Sequence, residues 1–407
     1  MRELSPGWTL NKVGDLFDMQ LGKMLSKEAS AGPEQRRYLT NKNVQWGRID
    51  FEALNYMSFS SAEREKFRLI PGDLLVTEGG EIGRTAMWEG DRKECYFQKS
   101  LHRLRSRGQI DSRYMLHYMN YAARWQMFTD SVGQTSIAHL PQDKFAEHLV
   151  AHPVNLAEQR RIVRAIDSVA EVEGGIEVSI AKLRSVRRGA LLAELVSVAR
   201  AEPSSGWVRV PLKDVVPSAE YGISEALNRD VGGVPVLRMN NIRDGQIDVT
   251  ELRYCPVPVP RRLLLRRQDV LFNRTNSIDH VGKAGMWRDE LPKATFASYL
   301  VRLVPDLQRL TPEYLVEWLM HPLVRQRVRS ISTVAVQQVN VNPSRLREVE
   351  IDLPVDLAEQ RRIVATLEAC DEQIRRENEE LNKLRELKQG LVDDLLSGRV
   401  AVSAAAA

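Results

Sequence analysis

The sequence predicts an α+β protein in which two similar mixed α/β domains are separated by a long antiparallel two-helix coiled coil, with an internal pseudo-twofold repeat. The octet LAEQRRIV occurs twice, at Leu156–Val163 and at Leu357–Val364, about half the chain length apart. A long charge-rich helical pattern follows each copy, and strand-and-turn sequence in a matching order precedes each copy. This internal repeat determines the predicted domain organisation, because a fold that is predicted without it would be wrong.

The two octets begin long helices. Asn155 and Asp356 supply N-cap acceptors, and Glu158 and Glu359 follow three residues later, as in a capping box. About 40 residues at ~1.5 Å per residue give a rod of about 60 Å. Apolar residues then follow a heptad pattern, at Ile162, Ile166, Val169, Ile176, Ile180 and Leu183 in the first helix and at Ile363, Leu367, Cys370, Ile374, Leu381, Leu384, Leu391 and Leu395 in the second.

The order of the segments predicts that the two helices run antiparallel. A compact domain usually has its two ends close together. The second mixed domain receives the chain from the first helix through a short linker at 202–206 and passes it to the second helix. The second helix therefore begins near the end of the first. Two independent helical hairpins would instead need loops that the sequence does not contain.

The two mixed domains share framework residues and differ in their loops. Gly206-Trp207 matches Gly7-Trp8, VLRMNNIRDGQID matches YLTNKNVQWGRID, and both halves carry a Met-Trp pair at Met87-Trp88 and Met286-Trp287. This pattern predicts one scaffold with two different reading surfaces. The predicted boundaries are a first domain at 1–152, a helix at 153–200, a second domain at 201–353, a helix at 354–400 and a disordered tail at 401–407.

Glycines interrupt the helical patterns. Gly174-Gly175 lies in the middle of the first helix and costs about 2 kcal/mol of helix propensity. We expect a local bend or a close approach there. Gly189 and Gly390 occupy matching late positions, which suggests a tight crossing or a contact with a partner.

Composition indicates a soluble globular protein in the cytoplasm. Of the 407 residues, 43% are hydrophobic and 28% are charged. No apolar run approaches the ~20 residues of a membrane span, and the first ten residues lack a signal-peptide core. The three cysteines are isolated, so neither a disulfide framework nor a zinc site is expected. The net charge of +4 is weak support for a polyanionic partner.

Motifs of catalysis are missing from the sequence. There is no GxxxxGK[ST] phosphate loop, no HExxH, no GxSxG elbow and no NPPY-like tetrad of an amino-methyltransferase. We therefore predict a binding protein with no catalytic residue, no metal site and no cofactor of its own.

Polar loops in matched positions are the candidate nucleic-acid readers. The loops Glu78–Thr85 and Asn273–Ser277 share one repeat position, with Arg274 opposite Gly83-Arg84. Arg can bind guanine, Asn or Gln adenine, and Glu a cytosine amino group; the alternatives for each residue are a turn former or a phosphate contact. The candidates are Glu78, Arg84, Thr85, Lys99, Arg103, Gln134, Thr135 and Ser136 in the first half, and Asn273, Arg274, Thr275, Asn276, Ser277, Lys283, Tyr299, Gln337 and Gln338 in the second.

Two divergent domains that alternate with two LAEQRRIV helices resemble the specificity subunit of a type I restriction–modification system. The resemblance implies a non-catalytic protein whose two target-recognition domains each read one half of a bipartite site in double-stranded DNA. It also implies that the helices dock two methyltransferase subunits, and that restriction/translocase subunits join the complex. S-adenosylmethionine, ATP and Mg would then belong to those partner subunits.

The docking candidates are the charged residues of the octets, which are Glu158, Arg160, Arg161, Glu359, Arg361 and Arg362. Two alternatives remain open at this point. One is the specificity subunit of a solitary methylation or other phage-defence system. The other is a coiled-coil scaffold that binds protein rather than DNA, which should lack salt-sensitive DNA binding.

Overall fold

The computed structural model describes residues 4–90, 94–128, 139–243, 245–335 and 338–398. The chain divides into two compact units, Met1–Glu177 with Glu379–Ala407, and Val178–Asn378. The helices are α1 Val13–Leu16, α2 Lys27–Ala31, α3 Ser61–Phe67, α4 Ser112–Arg124, α5 Gln142–Ala146, α6 Leu156–Glu194, α7 Pro312–Met320, α8 Pro322–Ser330, α9 Pro343–Arg347 and α10 Leu357–Leu396.

Short strands make up the rest of the regular structure. In the first unit they are β1 Trp8–Lys12, β2 Phe17–Leu21, β3 Gln35–Leu39, β4 Val44–Gln45, β5 Arg48–Ile49, β6 Asn55–Ser58, β7 Leu74–Thr77, β8 Thr85–Met87, β9 Tyr96–Phe97, β10 Leu101–Ser106 and β11 Leu149–Pro153. In the second unit they are β12 Trp207–Pro211, β13 Ser218–Tyr221, β14 Val234–Leu237, β15 Ile242–Arg243, β16 Gln246–Ile247, β17 Arg253–Cys255, β18 Val270–Asn273, β19 Thr275–Asn276, β20 Ala284–Met286, β21 Thr295–Phe296, β22 Leu300–Val304, β23 Thr333–Ala335, β24 Gln338–Asn340 and β25 Glu350–Pro354.

The sheets of the two units have the same topology, which confirms the predicted internal repeat. A four-stranded sheet has the order β2-β10-β7-β8 in the first unit and β13-β22-β18-β20 in the second. A three-stranded sheet, β6-β3-β9 or β17-β14-β21, combines one antiparallel and one parallel pairing in each unit. The strands before the octets also match in register, because Trp8 faces Pro153 and Trp207 faces Pro354.

The matched asparagines of the two halves show why the framework residues recur. Asn43 accepts a hydrogen bond from the Thr40 N–H and donates to the carbonyls of Asp50 and Ala53. Asn241 makes the same three bonds, with Arg238, Asp248 and Glu251. Each buried amide thus closes a turn whose backbone groups would otherwise be unpaired.

The helical prediction is confirmed within both units. None of the predicted heptad residues is exposed. In the first unit Ile162 and Ile166, early in α6, share a core cluster with Leu395, near the end of α10. In the second unit Leu191, late in α6, shares a core cluster with Ile363, near the start of α10. The segments of α6 and α10 within each unit therefore run antiparallel.

The glycines of the long helices differ from expectation. A Cβ atom added to Gly174, Gly175, Gly189 or Gly390 would lie more than 4 Å from every described atom outside its local helix and chain neighbours. The predicted close approach at Gly174-Gly175 is therefore wrong within the described chain, and Gly189 and Gly390 make no tight crossing there. Helix α6 continues through all three of its glycines, because flanking turns supply hydrogen bonds that do not depend on a side chain.

A buried glutamine anchors the start of each long helix. The Gln159 side chain accepts from the Asp111 N–H at 2.7 Å and donates to the carbonyls of Gln109 at 3.2 Å and Pro153 at 2.8 Å. Its amide therefore joins three segments: the loop before α4, the end of β11 and the first turn of α6.

Gln360 repeats this anchor in the second unit. It accepts from the Thr311 N–H and donates to the carbonyls of Arg309 and Pro354, all at 2.9 Å. Both glutamine side chains are completely buried. Each long helix is thereby fixed to its own mixed domain.

We expect Gln360→Ala to destabilise the fold by about 2–3 kcal/mol, because it removes the side-chain partner of three backbone groups in the loop before α7 and at the end of β25. The midpoint of urea unfolding, followed by circular dichroism, measures this loss. Gln373→Ala is the matched control on the same helix, since Gln373 is exposed and makes one long bond to Glu377; it should change stability by less than about 0.5 kcal/mol. Equal midpoints for the two variants would contradict the role of the anchor.

Candidate nucleic-acid interface

The loop that follows β18 carries the polar residues of the second unit. The Arg274 N–H donates to the Tyr299 carbonyl at 3.1 Å, and the Arg274 carbonyl accepts from the Val341 N–H at 2.8 Å. The next residues form β19, which pairs with β24 through Thr275–Asn340 and Asn276–Val339. The structure therefore places the Asn273–Ser277 loop beside Gln338, two segments that the sequence predicted separately.

Glu78 occupies the corresponding place in the first unit. Its N–H donates to the Ser100 carbonyl at 3.1 Å, and its carbonyl accepts from the Leu140 N–H at 2.7 Å. The repeat alignment that set Arg274 opposite Gly83-Arg84 is therefore wrong. The residue that matches Arg84 is Lys283, because Thr77 donates to the Arg84 carbonyl and Asn273 donates to the Lys283 carbonyl.

An accessible polar surface surrounds Arg274, and we call it the second-unit patch. Ser277 and Gln338 beside it are exposed, while Asn276, Lys283 and Arg274 itself are half-buried. The patch is formed by Tyr221, Arg274, Asn276, Tyr299, Gln338 and Asn340. Guanidinium, amide and hydroxyl groups together are suited to base edges and phosphates.

Tyr221 and Asn340 belong to this patch and were missed by the sequence analysis. The Tyr221 side chain is 49% exposed, and the Arg274 guanidinium lies 5.0 Å from the centre of its ring. The Asn340 side chain accepts from Arg274 at 2.7 Å. Neither residue lies in a polar run, and a contact between residues so far apart in sequence leaves no local signal.

The first-unit candidates are only partly accessible. Lys99 is exposed, and Glu78 is half-buried. Arg84 is committed to its own chain, since its guanidinium donates to the Asn41 carbonyl at 2.7 Å and to Glu81 at 3.3 Å. Four of the predicted residues lie outside the described part of the chain, namely Gln134, Thr135, Ser136 and Gln337.

Four other predicted readers are interior residues, which corrects the expectation for them. Arg103 is 4% exposed and binds Asp18 at 2.6 Å and the Lys66 carbonyl at 3.2 Å. Burial is the main cause that lowers the pKa of the Arg103 guanidinium, against the opposing effect of Asp73 and Asp18. Thr85, Asn273 and Thr275 are also buried. These side chains stabilise the sheet and do not present a surface to a ligand.

The octet arginines differ in what they contact. Arg160 lies 3.4 Å from Asp111, and Arg161 is half-buried. Arg362 binds Glu194 at 2.7 Å and Glu359 at 2.8 Å. The hydrogen bond from Arg362 to Glu359 is the main cause that lowers the pKa of the Glu359 carboxyl.

Arg361 is the freest of these arginines. It is exposed and forms no ion pair with any residue that the structure describes. Glu158, by contrast, is half-buried. Arg160 and Arg361 are therefore exposed arginines at equivalent positions of the two octets. Arg362 is also exposed, but its ion pair with Glu194 contributes to the pairing of α6 with α10.

An ion cluster beside the long helices of the second unit was not predicted. Arg187 binds both carboxylate oxygens of Glu317, at 2.7 and 2.9 Å, and Asp371 at 3.0 Å. Burial raises the pKa of the Glu317 carboxyl, while Arg187 opposes this effect. The matching α4 position of the first unit holds His117, which contacts Asp167 at 2.9 Å. The two repeats thus differ in charge beside their helices.

The described residues form neither a membrane span nor a metal site. No helix there is long and apolar enough to cross a membrane. No group of three or more His, Cys, Asp or Glu side chains in the same part of the chain is arranged to hold a metal ion.

Comparisons with known proteins agree with the duplicated architecture. The chain is similar to the specificity subunit of the type I restriction enzyme EcoKI from Escherichia coli, with 23% identity over 90% of this chain and 82% of that protein. It is also 28% identical to the putative MjaX specificity subunit of Methanocaldococcus jannaschii, over 47% of this chain and 45% of that protein.

A solved structure shows the same fold. The crystal structure of a type I restriction–modification S subunit from M. genitalium superimposes with a TM-score of 0.55 at 15% identity, and the match covers 97% of each chain.

The family model described as the type I restriction modification DNA specificity domain matches twice, at residues 6–181 and 204–386. Each match contains one mixed domain and the start of the long helix that follows it. Relatives of this kind are named for specificity, which is a recognition role and not a catalytic one. The chain belongs to the family of type I restriction–modification DNA specificity subunits.

Proposed function

We propose that this chain reads a bipartite site in double-stranded DNA, with each mixed domain reading one half. The observation that carries the proposal is the pair of loops after β7 and β18. Their backbones make the same hydrogen bonds, whereas their side chains differ, with Glu78 in one and Arg274 in the other. A constant scaffold with different side chains at one partly exposed position is what two different half-sites require.

The chemistry of the accessible residues supports duplex DNA as the ligand. Arg274 can donate to guanine, Asn276 and Gln338 can bind adenine, and Glu78 can accept from a cytosine amino group. Lys99 is exposed and can neutralise a phosphate without reading sequence. A scaffold that binds only protein would have no need for these donors and acceptors at matched loop positions.

The partner chains supply the reaction in this proposal. Two methyltransferase subunits dock on the long helices, and restriction/translocase subunits join the complex through them. S-adenosylmethionine, ATP and Mg are bound by those subunits, and the whole assembly works in the cytoplasm. The exposed arginines at equivalent places in the two octets, Arg160 and Arg361, support docking of two identical partners.

Exchange of residues 205–353 for the same segment of another family member should change one half-site and leave the other intact. Each mixed domain has its own sheets and core clusters, so the first domain does not depend on the loops of the second. Mapping methylated bases in cells that carry the chimera would show both half-sites. A change in both halves at once would refute modular reading.

Lys99→Ala should reduce the salt dependence of DNA binding by about one unit of log–log slope, at unchanged melting temperature, because a phosphate contact is lost. Arg103→Ala should instead lower stability by about 2 kcal/mol, because it removes buried hydrogen bonds. Salt titrations with duplex DNA and thermal melting separate the two effects. An unchanged slope in Lys99→Ala would mean that this lysine does not contact the backbone.

The double variant Arg160→Glu/Arg361→Glu should lose the methyltransferase chains in co-purification while its melting temperature stays within a few degrees. The affected ion pair is exposed, so it contributes at most about 1 kcal/mol to stability. Arg362→Glu is the contrasting variant, since it places a carboxylate beside Glu194 and Glu359 and should lower the melting temperature. A folded double variant that keeps two methyltransferase chains would exclude these arginines as the dock.

A further inference from the structure

We propose that Arg274 reads one base pair with a guanidinium held in place by Asn340 and Tyr221, and that Glu78 is the corresponding reader of the first unit. This inference rests on the proposed DNA-reading function. It identifies which position in each unit discriminates bases and which residues orient the reader.

The guanidinium of Arg274 is fixed before any ligand arrives. Nη2 donates to the Asn340 side-chain oxygen at 2.7 Å, Nη1 donates to the Ser298 carbonyl at 3.3 Å, and Nε makes a longer contact of 3.5 Å with the Val341 carbonyl. The flat group also lies 5.0 Å from the centre of the Tyr221 ring, a cation–π arrangement. A long side chain that is already ordered loses less entropy when it binds.

The remaining donors of Arg274 match the needs of a base contact. A guanidinium has five N–H groups, and three of them are used in these bonds, so two are left without a partner among the described residues. Two parallel donors are what a bidentate contact with the O6 and N7 atoms of guanine requires. The neighbouring Tyr221 and Tyr299 side chains are 49% and 47% exposed, so the patch is open to solvent.

The first unit shows that the side chain at the position of Arg274 differs between the two units, whereas the backbone hydrogen bonds at this position are the same. Glu78 has the same two backbone bonds as Arg274, yet it is an acceptor instead of a donor. Leu21 takes the place of Tyr221 at the end of β2, and His139, which pairs with Gly79, takes the place of Asn340. The reader and its supports have thus changed together.

A simpler interpretation makes Arg274 an internal link between β18 and β24. Such a link explains why Arg274 contacts Asn340 in the second unit. It does not explain why the first unit has Glu78 and His139 at the two equivalent backbone positions. It also predicts a different experimental result, because an internal link affects stability and a reader affects base preference.

The test uses the full chain assembled with its methyltransferase partners and a pool of DNA duplexes with random sequence. Bound duplexes are sequenced, and the base preference at each position is compared between variants. Arg274→Ala should lose about tenfold or more of the preference at one position of one half-site. Asn340→Ala and Tyr221→Ala should weaken the preference at that same position, and Arg274→Ala/Asn340→Ala should be no worse than Arg274→Ala alone.

Conservative and matched variants make the test specific. Asn340→Asp keeps an acceptor for the guanidinium, and Tyr221→Phe keeps the ring, so both should retain the preference. His139→Ala is the control in the first unit and should leave the half-site read by Arg274 unchanged. Glu78→Ala should alter one position of the other half-site only.

Each outcome decides one of the two proposals. If the unmodified complex enriches no sequence from the pool, the proposed DNA-reading function is wrong. If it enriches a bipartite site and Arg274→Ala enriches the same site, Arg274 is not a reader. A uniform loss of affinity for all duplexes makes it a phosphate contact, and a lower melting temperature with unchanged preference makes it an internal link; both refute the inference.

Discussion

The buried glutamine of each octet is the interaction on which the two units depend. Gln159 and Gln360 are the points where a long helix, the last strand of a mixed domain and the loop before α4 or α7 share one side-chain amide. An amide can donate and accept at once, and a buried backbone group without such a partner would be costly. The residues that follow, Ile162-Val163 and Ile363-Val364, are buried in the core clusters of their units.

This anchor changes the explanation of the repeated octet. From the sequence alone, the charged residues of the octet are candidates for partner docking, and docking would explain why the octet is repeated. The structure supplies a second cause, since the glutamine and the two apolar residues are fixed by packing within each unit. The proposed docking accounts only for accessible residues such as Arg160 and Arg361.

Structural features that are set by neighbouring residues in the sequence were predictable. Side-chain contacts between residues far apart in the sequence were not. Caps, heptads and the repeat follow from neighbouring residues, so the helices and the duplicated sheets were correctly predicted. Arg103 was misjudged because its burial depends on Asp18, which is far away in sequence and lies on the adjacent strand. Tyr221 and Asn340 were missed for the same reason, since only the fold brings them to Arg274. Of the two expectations at Gly174-Gly175, the close approach was wrong, because a helix tolerates glycine where its other turns support it.

The backbone bonds that hold Glu78 and Arg274 do not involve their side chains. A substitution at either position therefore leaves the strand ends paired, and its effect on folding is confined to the few side-chain contacts nearby. Stability and selectivity are in this sense uncoupled at these two sites. In the proposed reading role, such a scaffold tolerates successive changes of the side chain at these two positions without loss of the fold, so that a new sequence preference in one unit leaves the other unit as it was.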